Sequence, residues 1–151
     1  MKIYIGSDHA GYYLKEKIEA HLAKNGHDVE DVGDKELDPA DDYPQFAFAA
    51  ATKLLGSTDK DPRAILLCGN GQGMAIAANR IRGIRAAVVW DEAEARASRT
   101  ENDSNVLALP ARVLENDEAA ALDIVDTWLH AEFSGAERHR RRLREIEEVY
   151  G

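Results

Sequence analysis

The chain has 151 residues, 44% of them hydrophobic, which suits one domain with a packed core and is short for two. A formal net charge of -9 argues against nucleic acid or an anionic membrane as partner, since both reward a basic surface. The single cysteine, Cys68, excludes an internal disulfide; with no charged-then-apolar leader and no apolar run near the roughly 18 residues of a membrane span, the expectation is a soluble, cytoplasmic protein.

In chain order, KIYIGS is a short apolar strand ending beside Gly6. Leu14, Ile18 and Leu22 then recur at helical spacing, and Gly26 supplies the stop. HDVEDVG is a weaker strand, followed by an acidic loop over 33–42. PQFAFAAATKLLG opens with a proline suited to a first helical turn and closes at Gly56. RAILLC is a strand that runs through a glycine-rich loop into a helix, GMAIAANRI. GIRAAVVW is the next strand, and DEAEARASRTEN a helix whose acidic start complements its dipole. NVLALP is the fifth strand. In DEAAALDIVDTWLHAEF, residues Ala121, Ile124, Val125, Trp128 and Leu129 share one apolar face. The final segment, AERHRRRLREIEEVY, is a charged helix with few apolar positions, expected to reach across to another subunit.

Strands alternating with helices predict an α/β, Rossmann-like, three-layer domain spanning 1–151, with a five-stranded parallel sheet and right-handed crossovers. Ligands of such sheets bind beyond the carboxyl ends of the strands, where Asp8, His9, residues 68–73 and Asp91 fall. Gly69, Gly71 and Gly73 let backbone N–H groups approach a ligand, forming a cradle for a phosphate or a developing oxyanion. Met74 stands where a P-loop needs lysine, and no third glycine completes a dinucleotide fingerprint. Cys68 is either a small hydrophobe closing a strand or a thiol whose pKa, about 8.5 when free, is lowered by facing that cradle.

Asp8 and His9 read equally as a helix cap with a surface histidine or as a proton-transfer and phosphate-binding pair. DDYP reads as a turn before the proline-initiated helix. Between Arg138 and Arg144 the acidic chain carries five arginines and His139. Arg138 and Arg142, spaced i, i+4, repel unless an anion lies between them, and arginine's planar fork suits a phosphate. Arg112 is the other phosphate candidate. No histidine pair has a recognised ligand spacing, so neither metal nor cofactor is expected.

The stretches GSDHAGYYLK, DDYP, LLCGNGQGMAIAANR, GIRAAVV, ENDSNVLALPARV and ERHRRR occur in an order that resembles the type B ribose-5-phosphate isomerases and the related galactose-6-phosphate isomerase subunits, over essentially the whole chain. The resemblance implies a homodimer or dimer of dimers with sites shared between chains, and metal-free aldose-ketose isomerisation through an enediolate. By that resemblance Cys68 is the base, Gly69, Asn70, Gly71 and Gly73 belong to the oxyanion loop, and Asp8 helps to open the sugar ring. Asp42 and Tyr43 would contact sugar hydroxyls, and Asn102 would make an amide contact. His9, Arg112, Arg138, His139 and Arg142 would bind phosphate.

Three residues depart from that pattern. Glu101 stands where the family usually has a histidine acting in ring opening, Asn70 where it has Thr or Ser, and Pro110 where it has glycine. A free glutamate, with a pKa near about 4.3, is a poorer acid at neutral pH unless its site raises it. The expected reaction is interconversion of ribose 5-phosphate and ribulose 5-phosphate. Competing readings are a six-carbon substrate (allose or galactose 6-phosphate), a non-catalytic phosphosugar-binding module, and a flavodoxin-like nucleotide or flavin binder resting on fold analogy alone.

Overall fold

Residues 1–149 are described by the computed structural model. Strands β1 (Lys2–Ser7), β2 (Asp28–Asp31), β3 (Arg63–Cys68), β4 (Ala86–Val88) and β5 (Val106–Pro110) form one sheet in the order β2-β1-β3-β5-β4. Every pairing is parallel. The helices are α1 (Tyr12–Lys24), α2 (Tyr43–Leu55), α3 (Gln72–Ala78), α4 (Glu92–Thr100), α5 (Ala111–Leu114), α6 (Glu118–His130) and α7 (Glu137–Glu148), with a 3-10 turn, His9–Gly11, before α1.

Alternation along the strands sorts the core into two layers. Ile3, Ile5, Ile65, Leu67, Leu107 and Leu109 face α1 and α6, where Ile18, Leu22, Ile124, Val125 and Trp128 are buried. Tyr4, Ala64, Leu66, Cys68 and Ala108 face α2 and α3, meeting Phe46, Ala47, Ala50 and Met74. The strand order reverses between β1 and β3, which makes the crevice beyond those two strand ends the place where this architecture accepts ligands. Asp8 leaves β1 and Cys68 ends β3 on either side of it.

Two elements differ from the sequence expectation. The strand expected over GIRAAVVW contracts to Ala86–Val88, and just before it the Arg85 backbone N–H donates to the side-chain carbonyl of Asn105 at 2.8 Å. Arg112 follows the fifth strand as expected, but within a short helix, α5, which no periodicity announced.

The loop after β2 is fastened from inside. The ammonium of Lys15, buried in α1, donates to Asp31 at 2.6 Å and to the Asp34 carbonyl at 3.2 Å, while Asp31 also accepts from the Gly33 N–H at 2.8 Å. Removing one partner of a buried pair leaves the other charge unpaired. Asp31→Ala is therefore expected to lower unfolding free energy in urea by roughly 3 kcal/mol. A loss under about 1 kcal/mol, as for an exposed pair, would contradict this clasp.

Candidate active site

At the carboxyl edge, the 3-10 turn is pinned onto β3. The Asp8 N–H donates to the Leu67 carbonyl at 3.3 Å, and the Asp8 carboxylate caps the turn by accepting from Ala10 and Gly11 at 3.0 and 3.3 Å. Burial pushes the Asp8 carboxyl above the ordinary carboxylate range, against the pull of those capping amides. The cap and the perturbed acid are thus one residue. The thiol of Cys68, buried at the end of β3, lies one residue beyond that anchor.

The glycine loop follows. Gly71 takes φ 75°, the left-handed region that favours glycine, with Leu109 and Pro110 of β5 close behind it. Asn70 bends its side-chain carbonyl onto the Gln72 N–H at 3.1 Å. Arg112 donates its backbone N–H to the Gly69 carbonyl at 2.9 Å, and its guanidinium lies where a side chain on Gly69 would stand. The Tyr43 ring covers Gly73 so closely that an added Cβ would sit 2.5 Å from it. Tyr43, Arg112 and the loop therefore share one surface with Cys68 and Asp8.

The remaining candidates lie elsewhere. Glu101 closes α4 and Asn102 follows it in the loop that enters β5 at its amino end. Ser134 donates its N–H to Thr100 at 3.0 Å, bringing the start of α7 to the same place. Glu147 near the other end of α7 meets Arg85 at 3.9 Å and Arg82 at 4.0 Å. Arg138, His139 and Arg142 thus accompany Glu101 and Asn102 at the amino edge, separated from Cys68 by the six-residue length of β3, about 17 Å at a strand's rise per residue. His139 is buried, its Nδ1 2.7 Å from the Ser134 hydroxyl, and it anchors the entry to α7. Among the described residues Arg138 and Arg142 make no ion pair, whereas Arg144 is held by Glu137. A groove of about 530 Å3 runs here between Ile81, Arg85, Asn102, Ser104, Leu143 and Ile146.

Asp41 was missed in the sequence. It, rather than Asp42, meets His9: its Oδ1 accepts from the His9 backbone at 3.0 Å and lies 2.7 Å from Nδ1. Asp42 takes the extended N-cap position of α2 and stays exposed, making no side-chain bond to the helix. The available signal was the doubled aspartate, since adjacent side chains of an extended segment point to opposite sides. Gly11 was missed as well; a Cβ there would lie 2.6 Å from the Leu67 side chain and 3.1 Å from its carbonyl. Asp91, placed at the carboxyl edge by sequence, is the cap of α4, accepting from Glu94 at 2.8 Å. Asp8, His9 and Asp41 are the described residues whose ligand-type atoms gather within 4.8 Å, the one set there that could hold a metal ion, although its Oδ1 and Nδ1 atoms are already engaged in the bonds above.

Residues 3–146 match the family model described as Ribose/Galactose Isomerase. The chain is 41% identical over 143 residues, 95% of its length, to ribose-5-phosphate isomerase B of Mycolicibacterium paratuberculosis, of which it covers 87%. It superposes on ribose-5-phosphate isomerase B of Clostridium thermocellum with a TM-score of 0.92 and 47% identity, covering 99% of this chain and 97% of that one. The Mycoplasma genitalium enzyme with bound ribulose-5-phosphate gives 0.92 at 40% identity, covering 99% and 95%.

The tight seat of Gly11 generates a direct test. Gly11→Ala drives a methyl into the Cβ and carbonyl of Leu67, so it is expected to cost about 1–3 kcal/mol and to loosen the Asp8 turn. Chemical denaturation measures the cost; unchanged stability would mean that the turn does not rest on β3.

Proposed function

The chain belongs to the ribose/galactose isomerase family, and from that premise we propose that it interconverts ribose 5-phosphate and ribulose 5-phosphate through an enediolate, with Cys68 as the base. The observation that carries this reading is the position of Cys68, at the β1/β3 reversal, between the buried acid Asp8 and a loop whose Gly71 holds a left-handed turn. Those are the parts that proton abstraction beside a carbonyl requires. A thiolate removes the proton from the second carbon of the open-chain aldose, and negative charge develops on oxygen. Amides of residues 69–73 stabilise that charge without reorganising. The cysteine then returns the proton to the first carbon while the hydroxyl proton passes from the second oxygen to the first, giving the ketose.

Asp8 supplies the proton transfer of ring opening, for which a carboxyl held above its usual range is suited. Tyr43 and Asp42 flank the loop and take the sugar hydroxyls. His9 and Arg112 take the phosphate, whose binding energy holds the reacting carbons in register. The reaction requires no metal in this reading.

Glu101, Asn102, Arg138 and Arg142 cannot join that half within one chain, because the sheet lies between. We assign them to the site of a second copy in a homodimer or dimer of dimers, with α7 as the reaching element. Within described residues no helix is long and apolar enough to cross a membrane, in keeping with a cytoplasmic enzyme of sugar-phosphate metabolism.

The test is isomerisation of ribose 5-phosphate and allose 6-phosphate, side by side, by wild type and Cys68→Ser. Wild type is expected to turn over the five-carbon sugar, and the serine variant to lose about a hundredfold or more in kcat while keeping its fold. Turnover of allose 6-phosphate alone would move the assignment to six-carbon sugars. Near-normal activity of Cys68→Ser would remove the cysteine as base, and binding without turnover of either sugar would leave a phosphosugar-binding module.

A further inference from the structure

We propose that Asp41 is a positioning residue for His9: by engaging the backbone N–H and Nδ1–H of His9, it leaves Nε2–H as a cationic donor for the substrate's phosphate. The identity of the anion rests on the isomerase reading; the pairing itself does not. A carboxylate can only accept, so the 2.7 Å contact puts a proton on Nδ1. Neutral His9 then presents a lone pair at Nε2, which repels an anion, and only the imidazolium presents a donor there. Asp41 is suited to enforce this, because its side chain is 3% exposed while that of His9 is 42% exposed. The buried end is fixed and the open end is presented.

The surroundings give that charge its weight. The turn packs against β3, α1 and α5, the elements that carry Cys68, Tyr12, Lys15 and Arg112. Its own cap is Asp8, and the 33–42 loop adds Asp34, Asp38 and Asp41. The bond to Asp41 holds His9 above the usual imidazole range, burial pulling the other way. Asp34 is also raised, by burial first and then by the charge of Asp41. Arg112 attracts a phosphate in either state of His9, and within this acidic neighbourhood a positive His9 adds to that attraction. Anion binding is therefore expected to weaken as pH rises through the raised value of His9, and to weaken earlier when Asp41 loses its charge.

The test uses the intact protein labelled with 15N-histidine, His9→Gln for assignment, and inorganic phosphate as probe. In wild type, neutral His9 is expected to keep its proton on Nδ1; a proton on Nε2 instead overturns the proposal without any variant. In Asp41→Asn the His9 midpoint is expected to fall. Phosphate affinity should drop about threefold or more near pH 8, yet change less than about twofold near pH 5.5, where both proteins carry the imidazolium. KM for ribose 5-phosphate should follow the same ratio, with kcat on bound substrate little changed. Equal midpoints, or a pH-independent affinity loss, would overturn the role of Asp41. If wild type isomerises no sugar phosphate while phosphate binding follows the stated pattern, the isomerase reading fails and this one stands; normal turnover with an indifferent Asp41→Asn is the reverse case.

Discussion

A parallel sheet has direction, and that direction governs everything else in this chain. All five strands finish at one edge, so every loop that leaves a strand lies there, and every loop that leaves a helix for a strand lies at the other. Asp8, His9, Cys68, the glycine loop and Arg112 follow strands; Glu101 and Asn102 follow a helix. No rotamer change brings the two groups together across six residues of β3. The candidate residues therefore fall into two groups at opposite edges of the sheet.

The carboxyl-edge half is rigid for reasons that have little to do with its chemistry. Asp8 caps a turn whose Gly11 is seated directly on Leu67, so the acid, the anchor and the packing contact coincide. Lys15, one helical turn onward, fastens the β2 loop from within the fold, and that loop delivers Asp41 to His9. Arg112 is held to Gly69 by its backbone, which leaves the guanidinium over the loop. Preorganisation of this kind supports an oxyanion site, since donors already in place do not reorganise as charge develops.

The order of elements was legible because burial writes a clear period: RAILLC and NVLALP are continuous apolar runs of a sheet covered on both faces, and the Ala121 to Leu129 face is the buried face of α6. Helix α5 was not legible, since four residues give no periodicity. The choice between Asp41 and Asp42 was hidden too; which of two adjacent carboxylates turns inward is decided by the bond to His9, a tertiary contact. The separation of Glu101 from Cys68 could have been read from the element order alone, because a residue at the end of a helix in a β-α-β unit must lie at the amino edge. His139 shows the opposite limit: its place in a basic run is plain in the sequence, and its burial against Ser134 is not.

The most direct test of a site built in halves is complementation between two impaired chains. Cys68→Ser lacks the proposed base of one half, and an Arg138→Ala/Arg142→Ala double variant lacks the arginine face of the other. Co-expressed and purified together, they should assemble dimers in which one site combines both intact halves, restoring about a quarter of wild-type activity under random pairing. Activity no greater than the average of the two parents would contradict the account, because it would place the whole site within a single chain.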